Sequence, residues 1–437
     1  MTTSSPSASH PARPPLLPLS RVLLWGAFAA VLLLAPMAFS SSLAVSMLTQ
    51  MGIAIIACLS YNILLGHGGM LSFGHAVYTG LGSYFAIHAL LRMNDGALTW
   101  LPVSALPLVG GLAGLFFAAL FGWVSTRRAG TTFAMITLGL GELVFAMSLM
   151  FSEFFGGEAG ISADRVVGEP FMGISYGPTI QVYYLVAIYT FVCVALMFAF
   201  TRTPLGRILN AVRDNPERVE FIGYNTQLVR YLSFMIAGFF AGIAGGLGAI
   251  LFEIVTAEVV GALRSGAYLL FTFLGGATIF FGPIIGGVLL VLATVWLSEL
   301  TQAWLLYLGL VFVLMVMYAP GGLAAIIMLN VRVAMHRLMR PLLPHYAVLA
   351  AALVVLLLGA SALIEMIYHL QLNAAMSDTL RYLGLTLNVR HTGHWLAAAA
   401  VTAVGLGLTH WARQRFAVVW GQAQATIEQR ILEAQTS

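Results

Sequence analysis

The chain has 437 residues, 60% of them hydrophobic and 8% charged, with a net charge of +4 and a mean hydropathy of +0.93. That much apolar surface exceeds what one water-soluble core can bury, which excludes a soluble enzyme or nucleic-acid binder and places the chain in a bilayer. All 20 residues counted as Lys plus Arg are arginine, so no lysine exists for a phosphate-binding loop or a Schiff base, and any ATP that drives the protein is bound by another chain.

Met1 to Ser20 is polar and Pro/Ser-rich, and the apolar segment after it, Val22 to Phe39, is read as a retained first helix. A signal peptide is the competing reading, with Ser40-Ser41-Ser42 as a weak cleavage site, but its removal would take away the orienting Arg13 and Arg21. From Val22 to Leu91, 70 residues pass without an Asp, Glu, Lys or Arg, whereas one spanning helix needs about 20. Several helices therefore follow one another directly. The apolar runs are Val22 to Phe39, Leu43 to Leu65, Leu71 to Leu91, Leu101 to Val124, Thr132 to Phe151, Val182 to Phe200, Tyr231 to Phe252, Ala267 to Phe281, Pro283 to Leu297, Ala303 to Tyr318, Tyr346 to Ile364 and Trp395 to His410. Gly282-Pro283 is the expected division of the uncharged run from Gly266 to Ser298. Cys58 and Cys193 fall inside these runs and are read as small buried residues rather than a disulfide.

The expected fold is all-α, a polytopic transmembrane bundle of about twelve segments with broken or re-entrant helices. With the N-terminus inside, the alternation puts fifteen arginines on the cytoplasmic side and five outside. Basic residues favour the cytoplasmic face, so both termini are predicted inside. The outer segments gather Glu153, Glu158, Asp164, Glu169, Glu253 and Glu258.

Between the second and third runs, Gly66-His67-Gly68-Gly69-Met70-Leu71-Ser72-Phe73-Gly74-His75 interrupts the apolar pattern. Its glycines favour unwound backbone, which membrane depth tolerates only where protein or a watery cavity satisfies it; a plain turn between two spans is the alternative. His67 and His75 lack carboxylates or thiols at ligand spacing, so no metal site is predicted. Glu142, after Thr137-Leu138-Gly139, is the one acid placed well inside hydrocarbon. Such carboxylates are expected to face the bundle interior, in a structural or a solute-contacting role. Gly156-Gly157-Glu158-Ala159-Gly160 then reads as a flexible outer loop, either a surface for a partner or merely solvated.

The stretch from Thr201 to Arg218 is predicted to form two short helices, with Thr203 and Asn215 as caps, Pro204 and Pro216 at the first positions and Gly223 as the stop. Helices this short need a surface to rest on. Ile208, Val212, Val219, Phe221 and Ile222 are the apolar anchors among Arg207, Arg213 and Arg218. An amphipathic segment lying on anionic lipid is the other reading.

Several of these motifs together resemble the LivM-like permease subunits of branched-chain amino acid ABC importers. Gly66, Gly69, Leu71, Ser72, Gly74, His75 and Ala76 match that family's signature, with Met70 and His67 in place of its usual glutamine and tyrosine. Pro204, Gly206, Arg207, Leu209, Ala211, Arg213, Asp214 and Gly223 match its cytoplasmic motif. Leu274-Gly275-Gly276, Gly282-Pro283-Ile284-Ile285-Gly286 and Pro320-Gly321-Gly322-Leu323 match its later ones, with Ala277 and Phe280 as departures. The likeness implies a non-enzymatic permease in the bacterial inner membrane, carrying branched-chain amino acids or related solutes. Its implied partners are a LivH-like permease, two LivG/LivF-like ATPases, a periplasmic binding protein and membrane lipid. No cofactor is implied on this chain; ATP and Mg belong to the ATPases.

On this reading residues 1–21 are a cytoplasmic tail, 22–323 the permease body with a coupling loop at 202–226, and 324–437 an extension with two more apolar segments. ATPase coupling is expected from Pro204, Gly206, Arg207, Leu209, Arg213, Asp214, Glu217 and Gly223. Gly66, Gly69, Ser72, Gly74, His75 and Glu142 are the candidates for the pathway. A carrier or channel that works without ATP is the first alternative and a membrane-embedded enzyme the second. The capped, arginine-bearing segment argues against the former, and the scarcity of catalytic constellations against the latter.

Overall fold

With no water to satisfy its backbone, an apolar segment in lipid folds as a helix, and each of the twelve predicted runs contains one. The computed structural model describes residues 18–98, 100–167, 174–372 and 378–436. Arg13, most of the polar N-terminal tail and Glu169 lie outside the described residues. In chain order the helices are α1 (Pro18–Ala38), α2 (Ser42–Asn62), α3 (His75–Asn94), α4 (Leu106–Ser125), α5 (Thr131–Met150), α6 (Thr179–Arg202), α7 (Pro204–Asp214), α8 (Pro216–Phe221), α9 (Thr226–Phe252), α10 (Ala262–Gly275) and α11 (Gly282–Val291). After them come α12 (Trp304–Tyr318), α13 (Gly322–Met335), α14 (Met339–Leu372) and α15 (Thr392–Thr436).

Among the described residues, eight helices are long and apolar enough to cross a membrane, or nine if the pair α12–α13, bent by 52°, counts as one span. The polytopic helical bundle stands, but twelve full crossings do not follow from helix length. The apolar part of α1 is short, α3 is diluted by Gly, Ser, Thr, His and Tyr, and α10 has 14 residues. A helix of that length reaches about 21 Å, against a hydrocarbon core of about 30 Å. The break in the eighth and ninth runs falls at residues 276–281, and Gly282-Pro283 opens α11 rather than dividing two helices.

The bundle is organised around α9, whose most apolar stretch is 78% buried. Gly238, Gly242 and Gly246 recur on one face of α9, and Gly110, Gly114 and Ala118 answer them on α4. Small residues at this spacing let two backbones approach closely, the main source of helix association in lipid. A Cβ on Gly242 would stand 2.1 Å from the Gly110 carbonyl oxygen, so no larger residue fits there. On the α3 side, Ser83 Oγ donates to the Gly245 carbonyl at 2.9 Å.

At one end of the bundle, β1 (Ile161–Ser162) pairs antiparallel with β2 (Ile254–Val255), Ile161 opposite Val255. Arg165 pins the same loop. Its guanidinium donates to the carbonyls of Tyr176 (2.7 Å), Gly177 (2.8 Å) and Leu251 (3.2 Å), and lies 3.7 Å from the Glu253 carboxylate. The Leu251 carbonyl lies in the last turn of α9, where the negative end of the helix dipole welcomes a cation. The glycine-rich loop expected to be flexible is thus tied down on its C-terminal side.

Beyond Leu323 the chain forms a long antiparallel pair, α14 and α15, joined by the hairpin β3 (Thr379–Tyr382) and β4 (Leu385–Asn388). The Glu365 carboxylate accepts hydrogen bonds from Thr301 and from Tyr307 (3.2 Å), and Arg430 donates to the His336 carbonyl at 3.0 Å. Because α14 runs past the predicted end at Ile364, Glu365 also falls within a candidate span, so Glu142 is not alone.

Candidate functional site

Helix α2 does not end in a cap. It widens into a π-helical turn at Ile63–His67 and then loses regular structure until α3 begins at His75. This break is the interruption expected from the sequence, and protein groups reach it from three helices. Tyr61 OH donates to the Ser72 carbonyl (3.0 Å), the Phe73 N–H donates to Thr137 Oγ1 on α5 (3.2 Å), and the Ala76 N–H donates to Ser265 Oγ on α10 (2.9 Å). Ser60 Oγ lies 2.7 Å from the Ala57 carbonyl and 2.9 Å from His75 Nε2, within hydrogen-bond distance of both. His75 Nδ1, Ser72 Oγ, Asn62 Oδ1 and His67 Nε2 are buried atoms with no hydrogen-bond partner. Buried polar atoms are ordinarily paired, so four such atoms between residues 62 and 75 mark a place where polar groups are held ready.

Motifs far apart in the chain meet here. A Cβ on Gly66 would stand 2.2 Å from the Ala277 carbonyl oxygen, and one on Gly74 2.3 Å from that of Thr137. The break between α2 and α3 therefore abuts both the break between α10 and α11 and the Thr137 motif of α5.

Glu142 lies elsewhere on α5. It is on the exposed face, one turn from Gly139, where a Cβ would meet nothing within 4 Å. The expectation that Glu142 turns inward is corrected: Thr137, Gly141 and Val144 occupy the buried face, and the carboxylate points away from the chain's own core. Ser72 and His75 are both 0% exposed. The structure groups Gly66, Gly69, Ser72, Gly74 and His75 and leaves Glu142 on a separate surface.

The short helices α7 and α8 form as their caps predict. Thr203 Oγ1 accepts from the Gly206 N–H (3.2 Å), Asn215 Oδ1 from the Arg218 N–H (2.9 Å), and Gly223 takes a φ of +95°. Their apolar anchors divide. Leu209, Val212 and Val219 are buried, whereas Phe221 is 91% and Ile222 69% exposed. Gly206 and Leu209 are packing residues of the chain itself, while Pro204, Arg207, Asp214, Glu217 and Gly223 are exposed. Arg213 turns inward, where its Nη1 donates to the Gly66 carbonyl, and it also pairs with Asp214 at 2.9 Å. His67 Nδ1–H donates to Asn210 Oδ1 at 3.1 Å.

Residues 43–320 match the family model of the branched-chain amino acid transport system permease component. The chain belongs to that family. This permease is 30% identical over 300 residues to the high-affinity branched-chain amino acid transport system permease protein LivM of Salmonella typhimurium, an alignment covering 64% of this chain and 69% of that one. It is 30% identical to LivM of Escherichia coli over 295 residues, 62% and 67% of the two chains. To the probable branched-chain amino acid transport permease protein LivH of Methanocaldococcus jannaschii it is 26% identical over 260 residues, 57% of this chain and 79% of that one. No solved structure matches the chain. The permease is a multi-pass membrane transport subunit of the ABC importer class, and the LivM resemblance read from its motifs holds. α14 and α15 lie beyond the matched residues.

Three residues of this region escaped the sequence reading. Tyr61 and Asn62 carried a signal, a polar Ser60-Tyr61-Asn62 run inside an apolar helix. Asn210 sits within the Thr201-to-Arg218 stretch, but nothing local distinguishes it from its neighbours.

Proposed function

We propose that this permease lies in a bacterial inner membrane with both termini in the cytoplasm and translocates leucine, isoleucine, valine or a close relative by alternating access. Two ATPases, which hold ATP and Mg, dock on α7 and α8 from the cytoplasm. A LivH-like permease completes the pathway, and a periplasmic binding protein delivers solute to the end bearing β1 and β2. Residues 22–323 form the permease body, residues 1–21 the cytoplasmic tail, and residues 324–437 an extension.

The observation that supports this most is the pair Phe221 and Ile222, 91% and 69% exposed at the end of the second of two capped helices, with Arg218 three residues before Phe221. Apolar side chains in that setting are what a protein partner covers, and a carrier that works alone has no use for them. Leu209 and Gly206 hold α7 in place, while Pro204, Asp214, Glu217 and Gly223 shape the docking loop. Gly66, Gly69, Ser72, Gly74 and His75 form the pathway's inner wall, because interrupted helices carry the midplane sites of transporters. Glu142 contributes from the exposed face of α5, toward the second permease.

Uptake of labelled leucine into proteoliposomes holding both permeases and the ATPases, with binding protein outside and ATP inside, tests the proposal. Uptake is expected only with ATP. Uptake driven by an ion gradient, without ATP or ATPases, would establish a secondary carrier instead.

A further inference from the structure

One side of α7 carries Gly206, Leu209, Asn210 and Arg213, at the i, i+3, i+4, i+7 spacing of a single helical face. That face lies on the glycines of the broken segment. Leu209 Cδ1 would stand 3.3 Å from a Cβ on Gly68, and Arg213 Cγ 2.8 Å from one on Gly69, whose φ of +62° also favours glycine. One turn of α7 makes two polar bonds to adjacent residues. Asn210 Oδ1 accepts from His67 Nδ1–H at 3.1 Å, and Arg213 Nη1 donates to the Gly66 carbonyl.

The Gly66 bond has a clear cause. Where α2 loses its regular ladder, the Gly68 and Met70 N–H groups both bond to the Leu64 carbonyl and the Gly69 N–H to that of Leu65, while the Gly66 carbonyl meets the guanidinium. Carbonyls at a helix's C-terminal end lack intrahelical donors and carry the negative end of the dipole. A guanidinium there makes a charge-assisted bond, stronger than a neutral one.

We propose that Asn210 and Arg213 are positioning residues that latch α7 to the unwound segment at Gly66 and His67, so that a movement of α7 and α8 is carried directly into that segment. This rests on the reading of α7 and α8 as the ATPase-docking helices. It divides their polar residues into two sets: Arg207 and Arg218 meet the ATPase, whereas Asn210 and Arg213 transmit.

The test uses the assembled complex with Leu71→Cys as a reporter in the unwound segment, since Leu71 is partly exposed whereas the native Cys58 and Cys193 are buried. Maleimide labelling of that cysteine is compared between nucleotide-free and ATP-vanadate-trapped complex, and ATPase retention is measured on the same samples. Without further substitution, labelling is expected to change with nucleotide. Asn210→Ala and Arg213→Gln are each expected to retain the ATPases while weakening that nucleotide response about fivefold, the scale of one lost hydrogen bond. The exchange His67→Asn with Asn210→His, which places the same two groups in reverse, is expected to recover it.

Loss of the ATPases in Asn210→Ala and Arg213→Gln would make these residues docking contacts and overturn the latch. So would a full nucleotide response in both, or a reporter that ignores nucleotide in the parent. A parent complex that never retains ATPases refutes the docking reading itself, a separate failure from that of the latch.

Discussion

Arg165 and Glu142 are opposite cases of a charge in an apolar protein. Arg165 is largely buried and aims its guanidinium at the Tyr176, Gly177 and Leu251 carbonyls. Arg165→Met keeps the stem and removes every donor, so we expect a loss of ~2 kcal/mol of local stability. The measurement is limited proteolysis: cleavage within residues 156–178 should become faster while the rest of the chain stays resistant. Unchanged cleavage would mean that the β1–β2 pairing alone holds the loop. Glu142 has the reverse setting, exposed beside an open Gly139. Glu142→Gln should leave the complex assembled and lower leucine uptake about tenfold, the weight of one charge-assisted hydrogen bond. Uptake at the parental rate would remove Glu142 from the pathway. Neither environment was legible in the sequence. The acceptors of Arg165 lie 11 to 86 residues away, and which side of α5 faces out depends on packing that a uniformly apolar helix does not encode.

Elements were far more legible than side-chain partners, because their determinants are local. The capped helices α7 and α8 could be read from Thr203-Pro204, Asn215-Pro216 and Gly223, as each device acts within one turn. Thr203→Ala should therefore cost about 1 kcal/mol in α7, visible as faster amide exchange over residues 204–214 and not over α9. The interrupted second helix was equally readable from its glycines. What sequence could not supply was the register between helices, which in lipid rests on backbone approach rather than on an apolar stripe. Gly242 makes the point: Gly242→Leu puts a large side chain where a Cβ already stands 2.1 Å from the Gly110 carbonyl. Overpacking of this kind costs about 1–3 kcal/mol or more. The expected outcome is an aggregated or poorly expressed chain by size-exclusion chromatography, whereas Gly248→Ala on the same helix, facing open space, should behave as the parent.

For the whole molecule, family membership and the helical bundle could be read from several motifs in the right order, since those motifs become neighbours in space. The number of crossings could not, because an apolar run reports burial in something apolar without reporting whether its helix is long enough to span. The extension was visible only as two apolar runs, and its anchoring through Glu365 to Thr301 and Tyr307 joins residues about sixty apart. Every hydrogen-bonding partner described above for α7 and α8 precedes Leu323, so under the proposed docking a chain ending there is expected to bind the ATPases as the full chain does. ATPase docking on α7 and α8 is tested by co-purification with those ATPases from mild detergent, comparing the parent with a Phe221→Asp, Ile222→Asp variant. These side chains are 91% and 69% exposed, so the fold should be unaffected. The parent is expected to retain the ATPases and the variant to lose them while eluting as the same monodisperse permease. Full retention by the variant, or a parent that purifies alone and transports without ATP, would contradict that docking.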